Sequence, residues 1–197
     1  MKTKLEIQNR CIELRNQTTS EVDNEMRIKG TAVVFESPTV LYEYDGIEYK
    51  EIIDRGALNN ADFSKCCLKY NHTDMVPVLA RTKNGSLKTS IKDYGLDFEA
   101  QLFNTTAGKD VYTLIKEGGL DKCSFAFTVK RSEYDVKTHT RKILEIDKVF
   151  DISIVDNPAY ELTSVEARSF FELQNQREKQ TFDNVELKRK RLIMATY

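Results

Sequence analysis

Apolar and polar residues alternate through most of the first two-thirds of the chain. Leu96, Phe98, Ala100 and Leu102 are separated by Asp97, Glu99 and Gln101, the period of two that gives a strand one core face and one solvent face. The segment from Ser86 to Ile91 predicts the preceding strand, entered from a tight turn at Asn84-Gly85 and left through a turn at Asp93 to Gly95. Cys123, Phe125, Phe127 and Val129 form a second alternating set. Leu144, Ile146, Phe150, Ile152 and Ile154 form a third, broken by Lys148. Further strands are expected at Lys4 to Leu14, Arg27 to Phe35 and Ile47 to Ile53.

Two segments carry helical spacing instead. Ala107, Val111, Leu114 and Ile115 fall on one stripe, and Gly118-Gly119 supplies a stop. After Asn157-Pro158, the residues Leu162, Val165, Phe170 and Leu173 share a broad face, with Phe171 pointing away from it as an exposed aromatic. Beyond Gln174 the chain turns charged and amide-rich, with too little apolar surface for a core. The expected organisation is a folded domain over residues 1–173 and a charged extension over 174–197. Many short strands and few helices predict a mostly β, α+β fold: a small closed or partly closed β-barrel with flanking helices.

Composition narrows the function classes. A chain of 197 residues suits one domain, and 40% hydrophobic with 31% charged residues is a soluble globular balance. No apolar run approaches the roughly 18–20 residues that span a bilayer, and the N-terminus lacks a signal-peptide pattern. The protein is expected to stay where it is made, with no membrane partner. A net charge of −1 speaks against a dedicated nucleic-acid binder. The basic run Lys188 to Arg191 reads as a solvated tail or as a contact for an acidic partner. Cys11, Cys66, Cys67 and Cys123 contain no C-x-x-C pair, so neither zinc nor a disulfide framework is expected and buried, reduced thiols are.

Three residues stand out as candidate chemistry. His72 follows the apolar stretch Leu68 to Tyr70 at a strand end, where a ring can reach a cleft. Ser124 lies between core-facing Cys123 and Phe125, so parity turns it with Ala126 and Thr128 to the opposite, open face. Asp151, between Phe150 and Ile152, shares a face with Ser153, and a carboxylate there can orient a histidine. Each has an ordinary reading as well: a structural histidine, an outward strand serine, a solvated acid.

Their order and surroundings add more. Gly30 to Phe35, Glu51-Ile52-Ile53 with Arg55 to Leu58, Tyr70-Asn71-His72, Val78 to Arg81, Gly85-Ser86-Leu87, Gly95 to Ala100, Gly118-Gly119-Leu120, Cys123 to Phe127, and Ile152 to Tyr160 succeed one another along the chain. In this order, over roughly residues 25 to 168, the chain resembles the tailed-phage prohead maturation proteases. The resemblance implies a fold similar to the herpesvirus capsid-maturation proteases, with residues 1–173 as the protease domain. It assigns Ser124 as nucleophile, His72 as base and Asp151 as third member. Ala126 stands where relatives often carry glycine, another small residue.

The implied activity is serine endopeptidase cleavage of the phage major capsid protein's scaffolding segment or a separate scaffold, and of the protease itself, inside the assembling prohead in the host bacterial cytoplasm. No cofactor is implied. Asp147 and His139 remain alternatives for the third member, and the loop carrying Arg81 is the expected support for the oxyanion. Two other classes stay open. One is an inactive assembly module on the same fold; the other is a cysteine enzyme pairing Cys123 or Cys66 with His72, although the inward parity of Cys123 predicts an inert thiol.

Overall fold

The computed structural model describes residues 7–13, 15–22, 25–156, 170–174, 176–177, 180–181, 185–186 and 188, with backbone alone for 11–13, 15–22, 25 and 42. Two compact units divide the chain, Met1–Thr163 and Ser164–Tyr197. The predicted start of the second helix at Asn157-Pro158 lies outside the described residues, as does the Cys11 side chain. Residues 170–174 are helical. There Phe171 is buried and Leu173 half exposed, the reverse of the expected facing.

The strands of the first unit are β1 (Ile7–Glu13), β2 (Arg15–Val22), β3 (Glu25–Val34), β4 (Thr39–Tyr44), β5 (Ile47–Ile53), β6 (Cys67–Tyr70), β7 (Ala80–Arg81), β8 (Leu87–Lys92), β9 (Gly95–Gln101), β10 (Lys122–Asp135) and β11 (Thr140–Val155), with helix α1 (Thr106–Lys116) between β9 and β10. They form two sheets, ordered β2-β3-β9-β8 and β1-β10-β11-β5-β4, and β6 pairs with both β11 and β7. The mostly β expectation holds, but the closed barrel is not found. Strands β3, β9, β10 and β11 are paired on both sides, and among the described residues no ladder joins the edge strands of one sheet to the other.

The two long strands β10 and β11 form an antiparallel hairpin, and β11 serves two parallel neighbours on its other side. Its start pairs with β5, Thr140 opposite Lys50 through Ile143 opposite Ile53. Its end pairs with β6, Asp151 opposite Cys67 through Ile154 opposite Tyr70. The expected alternation along β11 is corrected here. Ile143, Ile146, Val149, Ile152 and Ile154 are buried, whereas Leu144 and Phe150 are half-buried. The ladder steps from Ala126 opposite Asp151 to Phe127 opposite Val149, and from Thr128 opposite Lys148 to Val129 opposite Ile146. Each step inserts an extra β11 residue, a bulge that re-phases the strand and lets core residues recur every third position.

Helix α1 begins where Thr105 Oγ1 accepts a hydrogen bond from the Gly108 amide at 3.0 Å, satisfying an amide that the helix itself leaves free. Its buried face is Gly108, Val111, Tyr112 and Ile115, spaced as one helical stripe. Leu114, expected in that stripe, lies on its flank and is 44% exposed. One hydrophobic cluster joins this face to Ile28, Val33, Leu96 and Phe98 of one sheet and to Phe125, Phe127, Ile146 and Ile152 of the other. Glycine is required at Gly95, where a Cβ would stand 1.9 Å from the Val33 carbonyl oxygen across the β3–β9 pair.

Beside this core runs a buried ionic network. Arg10 on β1 donates through Nε to Glu51 Oε1 and through an Nη to Oε2 of the same β5 carboxylate at 2.8 Å. Arg141 on β11 reaches Glu51 Oε2 at 3.4 Å and Gln8 Oε1 at 3.0 Å. The Arg10 guanidinium also lies 5.6 Å above the Phe127 ring, a favourable cation–π placement. Burial holds the Arg141 guanidinium below its ordinary range, opposed by the Glu51 charge. Three strands distant in sequence are thereby fastened by one carboxylate. Among the described residues no helix is long and apolar enough to cross a membrane.

Candidate active site

Strand β6 ends in a tight turn. The Thr73 amide donates to the Tyr70 carbonyl at 3.1 Å, and the two central residues, Asn71 and His72, have φ of 50° and 52°. Two successive left-handed residues are the mark of a primed turn, where Asn-Gly is the usual pair. A histidine in the glycine position is strained and needs outside support. The end of β11 supplies it. The Asn71 amide donates to the Ile154 carbonyl at 2.9 Å, the Asp156 amide donates to Asn71 Oδ1 at 3.2 Å, and the His72 amide donates to Ser153 Oγ at 3.2 Å.

Turned back in this way, the His72 ring lies across β11 and β10. Its Nδ1 is 2.7 Å from Asp151 Oδ1, and its Nε2 is 2.7 Å from Ser124 Oγ. The strands bring the other two side chains to the same face: Ser124 is opposite Ser153 in the β10–β11 ladder, and Ala126 is opposite Asp151. Facing pairs in an antiparallel ladder share a side of the sheet. The three residues singled out in the sequence therefore meet in one hydrogen-bonded line. Their face is not open as parity alone suggested. Ser124 has no exposed surface, because the His72 ring, itself 21% exposed, is hydrogen-bonded over it.

The other candidates fall elsewhere. Asp147 is exposed; it sits on the far side of a bulge from Asp151, and its carbonyl accepts from the Asp62 amide. His139 occupies the β10–β11 hairpin tip, with Nδ1 3.1 Å from the Tyr134 hydroxyl and its ring 5.1 Å from that of Tyr49. Eleven residues of β10 separate that tip from Ser124, about 36 Å of extended chain. Arg81 is exposed at the end of β7. The Cys66, Cys67 and Cys123 thiols are buried and form no disulfide. Burial, followed by the neighbouring Cys67 and the Asp151 charge, pushes Cys66 up to about 12. Cys67 is raised too, by burial and then by Asp151. The Cys123 thiol points to the Thr31 carbonyl at 3.4 Å, away from His72. Among the described residues no group of three or more His, Cys, Asp or Glu side chains is placed to hold a metal ion.

One participant was not singled out in the sequence. Ser153 Oγ donates to Asp151 Oδ1 at 2.8 Å and lies 3.2 Å from His72 Nδ1. Its shared parity with Asp151 was the available signal.

A serine hydroxyl, an imidazole and a carboxylate joined in this sequence form the arrangement used by serine hydrolases. The chain belongs to the caudovirus prohead serine protease family, whose pattern matches residues 12–178. This is the family that the ordered motifs resembled, and it makes the protein a serine peptidase of phage capsid maturation. Among solved structures it is similar to the bacteriophage T4 capsid assembly protease, gp21, at a TM-score of 0.55 and 11% identity, over 79% of this chain and 100% of that one. At that identity the likeness speaks for the fold. No curated protein matches the sequence.

Proposed function

We propose that this protein cleaves the scaffold, or the scaffolding segment of the major capsid protein, inside the assembling prohead, with Ser124 as nucleophile, His72 as general base and Asp151 as the group that orients His72. The observation that carries this reading is the continuous line from Ser124 Oγ to His72 Nε2 and from His72 Nδ1 to Asp151 Oδ1, each step 2.7 Å.

A carboxylate only accepts hydrogen bonds, so the proton between Nδ1 and Asp151 sits on Nδ1. Nε2 is then left with a lone pair facing the Ser124 hydroxyl. As Oγ attacks the scissile carbonyl, its proton passes to Nε2 and the carbonyl electrons move to the oxyanion. Collapse breaks the C–N bond, and the imidazolium gives its proton to the departing amine. Water then attacks the acyl-enzyme, with His72 again taking the proton, and the acid product leaves Ser124 restored. The Asp151 carboxylate balances the imidazolium in both halves. Ser124 is buried beneath His72 on the cross-strand face, so substrate must reach the hydroxyl beside the ring.

The test is co-expression with the cognate capsid and scaffold proteins, followed by mass mapping of new termini. Ser124→Ala and His72→Ala should each abolish the new termini, and the double variant should be no worse than either, because such residues act as a unit. Processing at the normal rate by Ser124→Ala refutes the serine mechanism.

A further inference from the structure

We propose that Ser153 is the positioning residue of this centre: one hydroxyl fixes the backbone of His72 and the carboxylate of Asp151 together, and so determines which imidazole nitrogen meets Ser124. This rests on the reading of Ser124, His72 and Asp151 as the reacting set, and it adds a residue that contacts no substrate.

The proton count at Ser153 allows one arrangement. Its hydroxyl has a single proton and two lone pairs. Asp151 Oδ1, 2.8 Å away, accepts only and takes that proton. The lone pairs then receive the His72 amide at 3.2 Å and, as the weaker half of a three-centre bond, the Nδ1 proton at 3.2 Å. The stronger half of that bond goes to Asp151 at 2.7 Å. Every donor has an acceptor only when Nδ1 carries the proton and Nε2 is bare. With the proton on Nε2, Ser124 would face a donor and Asp151 would lose its shortest contact.

Ser153 also holds the strained element. His72 has a φ of 52°, and Ser153 Oγ is the acceptor for its amide. Ser153 is wholly buried and its backbone sits between β10 and β6, opposite Ser124 and Lys69. The hydroxyl is therefore carried by a strand paired on both sides, while the turn it holds lies at the end of a four-residue strand. Releasing the turn moves His72 rather than Ser124, and displacement of a catalytic group by about 1 Å is enough for a loss on the order of 100-fold.

Ser153→Ala should lower kcat by about 10- to 100-fold with KM within about twofold, because no substrate contact is removed. Ser153→Thr, which returns the hydroxyl, should recover most of that loss. With only two histidines in the chain, the ¹⁵N spectrum of the ring nitrogens is readily assigned. The full-length protein should show His72 as a single Nδ1–H tautomer with a slowly exchanging backbone amide, and Ser153→Ala should show mixed tautomers. A kcat for Ser153→Ala within twofold of the unmodified enzyme, or an unchanged His72 spectrum in that variant, overturns the assignment. Should Ser153→Ala not fold, the unmodified protein still decides: a fast-exchanging His72 amide or a protonated Nε2 overturns it. Retained activity in Ser124→Ala would instead overturn the underlying reading, and the spectrum distinguishes the two failures.

Discussion

Replacing Asp151 by asparagine separates two effects a carboxylate has on a neighbouring histidine, holding its tautomer and balancing its charge. Both the His72 Nδ1 proton and the Ser153 hydroxyl proton point at the same oxygen, Oδ1. An asparagine with its carbonyl oxygen in that place accepts both and keeps the tautomer, whereas the flipped amide would set NH₂ against two donors. The first orientation is therefore favoured, and what disappears is the negative charge. Two unit charges about 4 Å apart at an effective dielectric near 20 attract by about 4 kcal/mol. Partial exposure of the ring weakens this, so 3–4 kcal/mol is a fair range for the stabilisation of the imidazolium lost in the transition state. At about 1.4 kcal/mol per tenfold, kcat should fall by roughly 100- to 1,000-fold. Were the tautomer lost as well, the fall would be nearer 10⁴. The measurement is kcat and KM on a peptide spanning a mapped cleavage site, with melting temperature as the check on fold. Asp147→Asn and His139→Ala serve as controls and should stay within a few-fold of the unmodified enzyme. A kcat for Asp151→Asn within threefold of normal refutes the charge argument, and a crippled His139→Ala moves the third member to the hairpin tip.

Two further outcomes follow from the buried charges and thiols. With Cys66 pushed up to about 12, its thiolate is about one part in 10⁴ at pH 8, so iodoacetamide should leave peptidase activity intact and Cys66 unlabelled by mass spectrometry. Rapid loss of activity with label on Cys66 or Cys123 would favour a cysteine nucleophile. Glu51→Ala strands the Arg10 and Arg141 guanidiniums without their shared carboxylate, and breaking such a buried set costs about 3–5 kcal/mol. For a domain of this size that lowers the melting temperature by roughly 6–20 °C, and a calorimetric shift under 2 °C would show that the network carries little of the stability.

The sequence made the strands around the site legible because the relevant signals there are local. Ile47–Ile53 was recovered as a strand to the residue, and the Cys123-to-Val129 alternation lies within β10. Strand β2 was missed because Arg15–Val22 is almost entirely polar and owes its form to pairing with β3. The third alternating set failed for a different reason: a bulge changes strand phase without any required residue type, so Leu144 and Phe150 looked as core-like as Ile143 and Val149. Whether the barrel closes was not legible because closure depends on which edges pair over long sequence separations, a property no single segment carries. Parity placed Ser124 and Asp151 on one side of their strands correctly, but exposure is set by what lies over that side, here a ring arriving from β6.

The bulges also explain why Asp151, and not Asp147, faces His72. In unbroken alternation the two aspartates, four residues apart, would share a face. Between them the ladder inserts Phe150, and Asp147 is itself the unpaired residue between Lys148 and Ile146. The strand is thus in one phase from Asp151 to Val155, where it must present Asp151 and Ser153 to the turn after β6, and each bulge before that shifts the phase by one residue, so that Val149, Ile146 and Ile143 in turn are buried against the core. One sixteen-residue strand meets both demands because the phase changes fall between the site end and the core positions before it. Unbroken alternation along the same residues would turn Val149 and Ile143 away from the core if the site end kept its register, or turn Asp151 and Ser153 away from His72 if Val149 kept its place. The position of the carboxylate is therefore fixed by the irregularity of β11 as much as by its sequence.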